Sequence, residues 1–227
     1  MIARPGPLCL AVAIVGLTAT GTRPAAQEAT SVRGRVSIGI PVTARRAIST
    51  YSRSVQTMTL APESEVRHVV VYLKDASRTA VTPVHAEIRQ KGENFVPRVV
   101  AVPVGSEVSF PNDDPIYHNV FSLSRVKTFD LGRYPQGTSR SQRFTKAGLV
   151  KVFCQIHSHM SATVMVFDHP WFATPDEQGR FGLPAMPPGM HAITAWHERL
   201  GETTLQVHVE PGRPATIDFV LPVPAEQ

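Results

Sequence analysis

Cys154-Gln155-Ile156-His157-Ser158-His159-Met160 puts a thiolate, two imidazoles and a thioether within seven residues. His118, in the run Tyr117-His118-Asn119-Val120, lies 36 residues before the cysteine and adds an imidazole if the fold brings its loop back. Soft sulfur combined with imidazole nitrogen is the donor set of copper electron-transfer sites, with two His and one Cys in a trigonal set and a long, weak Met on the axis. Such a set leaves no position for a substrate and suits one-electron transfer better than hydrolysis. Zinc held by Cys154, His118, His157 and His159 is the competing coordination, with Met a poor ligand for that metal. His157 and His159 compete for one imidazole position. The C-x-x-H-x-x-M spacing favours His157, and in a locally extended loop His159 points elsewhere.

These donors need stiff carriers. Val150, Val152 and Cys154 recur every second residue, the period of a strand with one buried face, so the sulfur is delivered at a strand end. Residues 163–167 leave as the next strand, and 107–110 form a strand leading to the loop of His118 at the same end of the fold. Helical patterning is nearly absent elsewhere. Short apolar stretches at 32–40, 66–73 and 99–104 alternate with turn signals, and twenty prolines oppose long helices. That rhythm predicts an all-β sandwich or barrel. Residues 45–62, polar and patternless, read as a long loop. Residues 121–141, carrying Arg125, Lys127, Arg133 and Arg140, read as a solvated insertion.

Residues 1–26 read as a signal peptide, with Arg4, an apolar run over 8–19, and Ala25-Ala26 as the cleavage site. The run is too short for an ordinary membrane span, and no other stretch approaches that length. The mature protein is therefore expected in the periplasm or otherwise secreted, without membrane insertion. Cys9 leaves with the leader, so Cys154 becomes the sole cysteine. Exported compartments favour disulfides, yet a lone cysteine cannot staple its own chain; beside two histidines and a methionine it reads as a metal ligand. The net charge of +5 falls to +3 without Arg4 and Arg23. The remaining positive charges are scattered, which excludes the basic stripe of a nucleic-acid binder.

The rhythm shifts after Phe167, with turns at 174–179, 186–190 and 210–213 separating predicted strands at 180–183, 191–197, 203–209 and 216–221. About 50 residues of this kind make a small second sandwich with a thin core, expected to pack on its neighbour. Trp196-His197-Glu198 reads as one packed ring and a solvated pair. His68, His85, His191, His197 and His208 fall in strand-like segments, where half-exposed or hydrogen-bonded rings are the ordinary state. No His-Glu-x-x-His motif suggests a peptidase.

The block Val102-Pro103-Val104-Gly105-Ser106-Glu107-Val108-Ser109-Phe110-Pro111-Asn112-Asp113-Asp114, then His118-Asn119-Val120-Phe121, then the Cys154–Met160 heptapeptide, resembles the cupredoxins, or blue copper proteins. The compact ligand loop is similar to that of the amicyanins, with Ile156 where a proline is common and His159 added. The resemblance implies a Greek-key cupredoxin β-sandwich over 64–168 holding one type 1 copper. His118, Cys154 and His157 would be equatorial and Met160 axial. Asn119 would tie the two ligand loops together, and His159 would be an outer group or an alternative ligand. Asp176-Glu177-Gln178-Gly179-Arg180-Phe181-Gly182-Leu183, with Met186-Pro187-Pro188-Gly189-Met190-His191, resembles carboxypeptidase regulatory-like or transthyretin-like modules, placing a second, small β-sandwich at 169–227. Residues 27–63 would be an N-terminal strand and polar loop packed on the main domain. The whole arrangement is similar to exported proteins labelled methylamine-utilisation proteins. By these resemblances the chain is not an enzyme but an electron carrier between an unidentified redox protein donor and acceptor. Copper delivery or sensing, or a non-redox binding module, are the alternatives.

Overall fold

Period-two apolar runs become strands, and the strands stack as layers. The computed structural model describes residues 30–39 and 65–221; the signal peptide and the 45–62 loop of the sequence reading lie outside them. After a 3-10 turn at Glu65–His68, every regular element is a strand among the described residues. In chain order these are β1 (Thr30–Ile38), β2 (Val70–Leu73), β3 (His85–Glu87), β4 (Arg89–Gln90), β5 (Phe95–Val96), β6 (Val99–Pro103), β7 (Glu107–Pro111), β8 (His118–Ser124) and β9 (Lys127–Tyr134). There follow β10 (Ser139–Arg143), β11 (Gly148–Phe153), β12 (Ser161–Phe167), β13 (Phe172–Ala173), β14 (Arg180–Met186), β15 (Gly189–His197), β16 (Gly201–Val209), β17 (Ala215–Thr216) and β18 (Phe219–Leu221). No helix among them is long and apolar enough to cross a membrane.

A five-stranded sheet, β6-β12-β11-β8-β9, and a three-stranded sheet, β10-β7-β3, share one apolar cluster that includes Val108, Phe110, Val120, Val150, Val152 and Val164. Cys154 and Met160 belong to the same cluster. Two further sheets, β13-β2-β15-β16 and β14-β1-β17 with β18 also beside β1, share a second cluster built on Val32, Val71, Phe181, Ile193 and Phe219. Strand β12 joins the two assemblies. Its Ala162, Val164 and Val166 enter the first core, while Met165 and Phe167 pack with Val70 of β2 and Val99. A strand buried on both faces reads as an unbroken apolar run, which is how Thr163-Val164-Met165-Val166-Phe167 looks.

Three expectations are corrected. The N-terminal strand does not pair with the sheets around Cys154: β1 pairs antiparallel with β14 and parallel with β17 and β18. Likewise β2, assigned from sequence to the 64–168 domain, pairs with β13 and β15. Burial alternates along β1 and covers both faces of β2, and neither pattern says against which sheet a strand lies. The 121–141 stretch is mostly strand, since β8 and β9 form a hairpin register from His118↔Tyr134 to Ser124↔Lys127, and β10 starts at Ser139. Strand β9 is at a sheet edge, where charged side chains are the usual protection against edge pairing.

Gly34 marks the closest approach in the β1 sheet: a Cβ there would stand 1.7 Å from the Ile217 carbonyl oxygen, next to the Ile217 N–H bond to Arg33 at 2.9 Å. Gly34→Ala should cost about 1–3 kcal/mol of overpacking strain in denaturant unfolding and leave the distant thiol–histidine cluster intact.

Polar contacts seal the junction at β12. Lys151 Nζ lies 2.5 Å from Glu198 Oε1 and donates to Thr163 Oγ1 at 3.1 Å, and that hydroxyl donates to Glu198 Oε2 at 3.3 Å. The Trp196-His197-Glu198 run is therefore not solvated: His197 is buried and Glu198 is held at the junction. Burial pulls the Glu198 carboxyl up, but Lys151, then Arg98 and Thr163, outweigh it and hold its pKa below the ordinary 4.5. A carboxylate lowered on folding adds stability above its unfolded pKa and loses it as pH falls through the folded value. Glu198→Gln should be less stable than wild type at neutral pH, with the gap narrowing below about pH 4.5 in pH-dependent denaturant titrations.

Candidate metal centre

Strand β11 alternates inward through Val150 and Val152, and the next inward position is Cys154, 3% exposed. The chain turns over residues 155–160 and returns as β12, with Phe153 opposite Ser161. Two main-chain bonds close that loop: Cys154 N–H donates to Met160 O at 3.3 Å, and Met160 N–H to His157 O at 3.0 Å. His118 is the first residue of β8 and fully buried. Since β8 pairs with β11 through Phe121↔Phe153, the two donor-bearing ends are neighbours. The sequence reading put His118 in a loop; it stands at the strand's start, with its backbone fixed by the ladder to β9.

Three donor atoms converge. Cys154 Sγ lies 4.0 Å from His118 Nδ1 and 3.9 Å from His157 Nδ1, and the two Nδ1 atoms are 3.1 Å apart. A point in the plane of that triangle lies about 2.1 Å from all three atoms, against zinc–imidazole and zinc–thiolate bonds of about 2.0–2.1 and 2.3 Å. The cluster is thus already spaced to hold a transition metal without moving a strand. Met160 is 1% exposed and packs in the core cluster that contains Cys154.

The groups around the donors fix their orientation. Asn119 Oδ1 accepts from Gln155 N–H at 3.2 Å, and its Nδ2 donates to Asp130 Oδ1 at 2.7 Å. The residue after the first histidine therefore ties the cysteine loop to β9. Asp114 Oδ2 lies 2.9 Å from His118 Nε2, a contact the sequence reading missed. The available signal was a carboxylate four residues before a candidate ligand. Burial pulls the Asp114 carboxyl up, but Glu93 N–H, His118 and Gly92 N–H prevail and hold its pKa below the ordinary carboxylate value. Asp114 is thus ionised, and its Oδ2 faces His118 Nε2, the ring nitrogen turned away from Cys154.

His159 does not join the triangle. Its Nε2 bonds the Glu93 carbonyl at 3.0 Å, and its side chain is 58% exposed. His169 is also remote: it follows β12 at the end where Val166 faces Gly148, opposite the ligand loop, and packs on Phe167 and Trp171.

Glu65, His68 and His197 form a second cluster of possible donors. His197 Nδ1 accepts the Arg199 and Leu200 N–H groups, each at 3.2 Å, so its proton sits on Nε2 and faces Glu65 Oε2 at 3.1 Å. Burial, opposed by Glu65, lowers the His197 pKa and keeps the ring neutral. Burial pulls Glu65 up, but Arg199 and the histidines outweigh it and keep it ionised. Metal at Nε2 would require an imidazolate there, because Nδ1 is already used as an acceptor. In this cluster His197 and Glu65 form a hydrogen-bonded pair sealed by Arg199, and His68 Nδ1 stands 3.6 Å from the same Glu65 Oε2.

A scan against protein-family models and a search of curated proteins give no match. Among solved structures the chain is similar to a purple cupredoxin from Nitrosopumilus maritimus, at 23% identity over 36% of this chain and 99% of that one, TM-score 0.34. It is similar to amicyanin from Paracoccus versutus at 18% identity over 43% and 97%, TM-score 0.34. A copper-containing nitrite reductase from Thermus scotoductus matches at 24% identity over 42% of this chain and 25% of that one, TM-score 0.36. Each likeness covers less than half of this chain.

The two clusters differ in what mutation should do. His118→Ala should abolish stoichiometric metal in the purified protein, while His197→Ala should leave one metal per chain by elemental analysis.

Proposed function

We propose that the chain is an exported protein of the cupredoxin type that carries single electrons on one type 1 copper. The observation that carries this reading is the Cys154–His118–His157 triangle, with donor separations of 3.1 to 4.0 Å. Cys154, His118 and His157 would hold the metal, and a thiolate with two imidazoles, backed by the Met160 thioether from the same core cluster, would suit copper better than zinc. Bound there, copper would supply a Cu(II)/Cu(I) couple.

The residues do the rest. Cys154 gives a thiolate from a strand end, and His118 gives Nδ1 from a ring whose other nitrogen is committed to Asp114. His157, the only triangle member that is not buried, offers an imidazole edge toward the surface for electron entry and exit. Exposed Tyr117 and Ile156 stand next in sequence to the two histidines and supply apolar contact for a redox partner protein. Strong anchoring from several sides keeps the donors in place as the metal charge changes, and no substrate reaction is assigned to the chain. The domain bearing this site is read as a Greek-key cupredoxin sandwich. The sheets containing β1 and β15 are read as a small carboxypeptidase regulatory-like or transthyretin-like module that braces it.

Copper-loaded protein should bind one copper, show an intense visible cysteine-to-copper charge-transfer band, and give a reversible one-electron wave. Cys154→Ser should lose the band. Stoichiometric copper without a reversible wave would sink the carrier reading and leave delivery or sensing.

A further inference from the structure

Two side chains flanking the metal triangle meet on a turn that belongs to neither ligand loop. The strands β4 and β5 are joined by Lys91-Gly92-Glu93-Asn94, closed by Lys91 N–H to Asn94 O at 2.9 Å and Asn94 N–H to Lys91 O at 3.2 Å. Gly92 and Glu93 have φ of 60° and 55°, the left-handed pair of a tight hairpin turn. That geometry points both N–H groups the same way, and both end on Asp114: Gly92 N–H donates to Oδ1 at 2.6 Å and Glu93 N–H to Oδ2 at 2.8 Å. The carboxylate so held is the one that accepts from His118 Nε2 at 2.9 Å. The carbonyl of the same Glu93 accepts from His159 Nε2 at 3.0 Å, and His159 lies two residues from His157 in the ligand loop.

We propose that Asp114 and His159 are positioning residues acting through this one turn. Asp114 sets the His118 tautomer and places a fixed negative charge behind that ring, while His159 braces the Cys154–Met160 loop to the same hairpin. The proposal rests on the copper reading above. Outer partners of this kind orient a ligating imidazole and raise its basicity. The turn therefore links the two histidine-bearing segments by a path separate from Asn119.

Four full-length proteins test it: Asp114→Asn, His159→Ala, His159→Gln and the Asp114→Asn/His159→Ala double variant, each first shown to keep the wild-type far-ultraviolet dichroism. In the metal-free wild type, nitrogen-15 NMR should show His118 protonated on Nε2, and Asp114→Asn should give a mixed tautomer. Copper-loaded Asp114→Asn should keep its visible band and favour Cu(I) over Cu(II) by about tenfold more than wild type, a positive shift of about 59 mV for one electron. His159→Ala should keep the band unchanged and release copper to a chelator about tenfold faster, within the range expected for outer partners. His159→Gln, whose amide restores a donor toward Glu93, should recover most of the retention. The double variant should release copper about as fast as the worse single one, since both act on one element.

An unshifted potential in Asp114→Asn overturns the Asp114 role. Unchanged release in His159→Ala, or a lost band in both His159 variants, overturns the brace, the second result making His159 a ligand. Release rates that multiply in the double variant overturn the shared turn. If wild type takes up no copper, the functional reading fails by itself, and the metal-free tautomer measurement still decides the Asp114 arm.

Discussion

Three electron-rich atoms are pressed together in a nearly dry place, and much of the structure follows from that crowding. His118 Nδ1, His157 Nδ1 and Cys154 Sγ stand 3.1 to 4.0 Å apart, and two of their residues are almost fully buried. Burial removes the water that would otherwise satisfy these polar atoms. One proton can bridge two of the atoms; a cation at the centre can serve all three. Holding three such groups at these distances takes an anchor for each outside the triangle.

The anchors are different in kind. Cys154 is carried by the inward alternation of β11 and by its N–H bond to Met160 O. His118 is carried by the β8 ladder and by Asp114, and the loop between the ligands by Asn119. Strand β12, leaving the ligand loop, is buried along almost its whole length. Because β2 and β15 cover the face of β12 that turns away from the core containing Cys154, the return strand cannot flex outward without opening a second apolar interface. Strands β2 and β15 thus back the strand by which the Cys154–Met160 loop returns.

Local pattern made the central part of this readable. The Val150, Val152, Cys154 alternation put the cysteine sulfur at a strand end, where the structure has it, and the C-x-x-H-x-x-M spacing favoured the histidine that faces the sulfur. His159 was ambiguous because its partner, the Glu93 carbonyl, lies 66 residues away and a main-chain oxygen has no sequence signature. The destinations of β1 and β2 were illegible for a related reason: a short apolar strand fits either set of sheets, and the choice rests on contacts such as Gly34 against Ile217, 183 residues apart. Strand β9 was hidden by its edge position, where polarity imitates a loop. His197 looked solvated beside Glu198, but Glu65, 132 residues earlier, completes its burial.

Exposure then selects the route for charge in the role proposed. His118, Cys154 and Met160 are each at most 3% exposed, so a partner protein cannot approach them directly. His118 is further closed off by Asp114, which occupies its outward nitrogen with a carboxylate. His157 alone combines a donor atom in the triangle with a partly open ring. The face of the five-stranded sheet at β12 and β6 is covered by β2 and its neighbours through Val70, Tyr72 and Trp196, which leaves the ligand-loop end as the short path. Through the β12 and β6 face an electron would cross a packed sheet, whereas at His157 it would meet one imidazole.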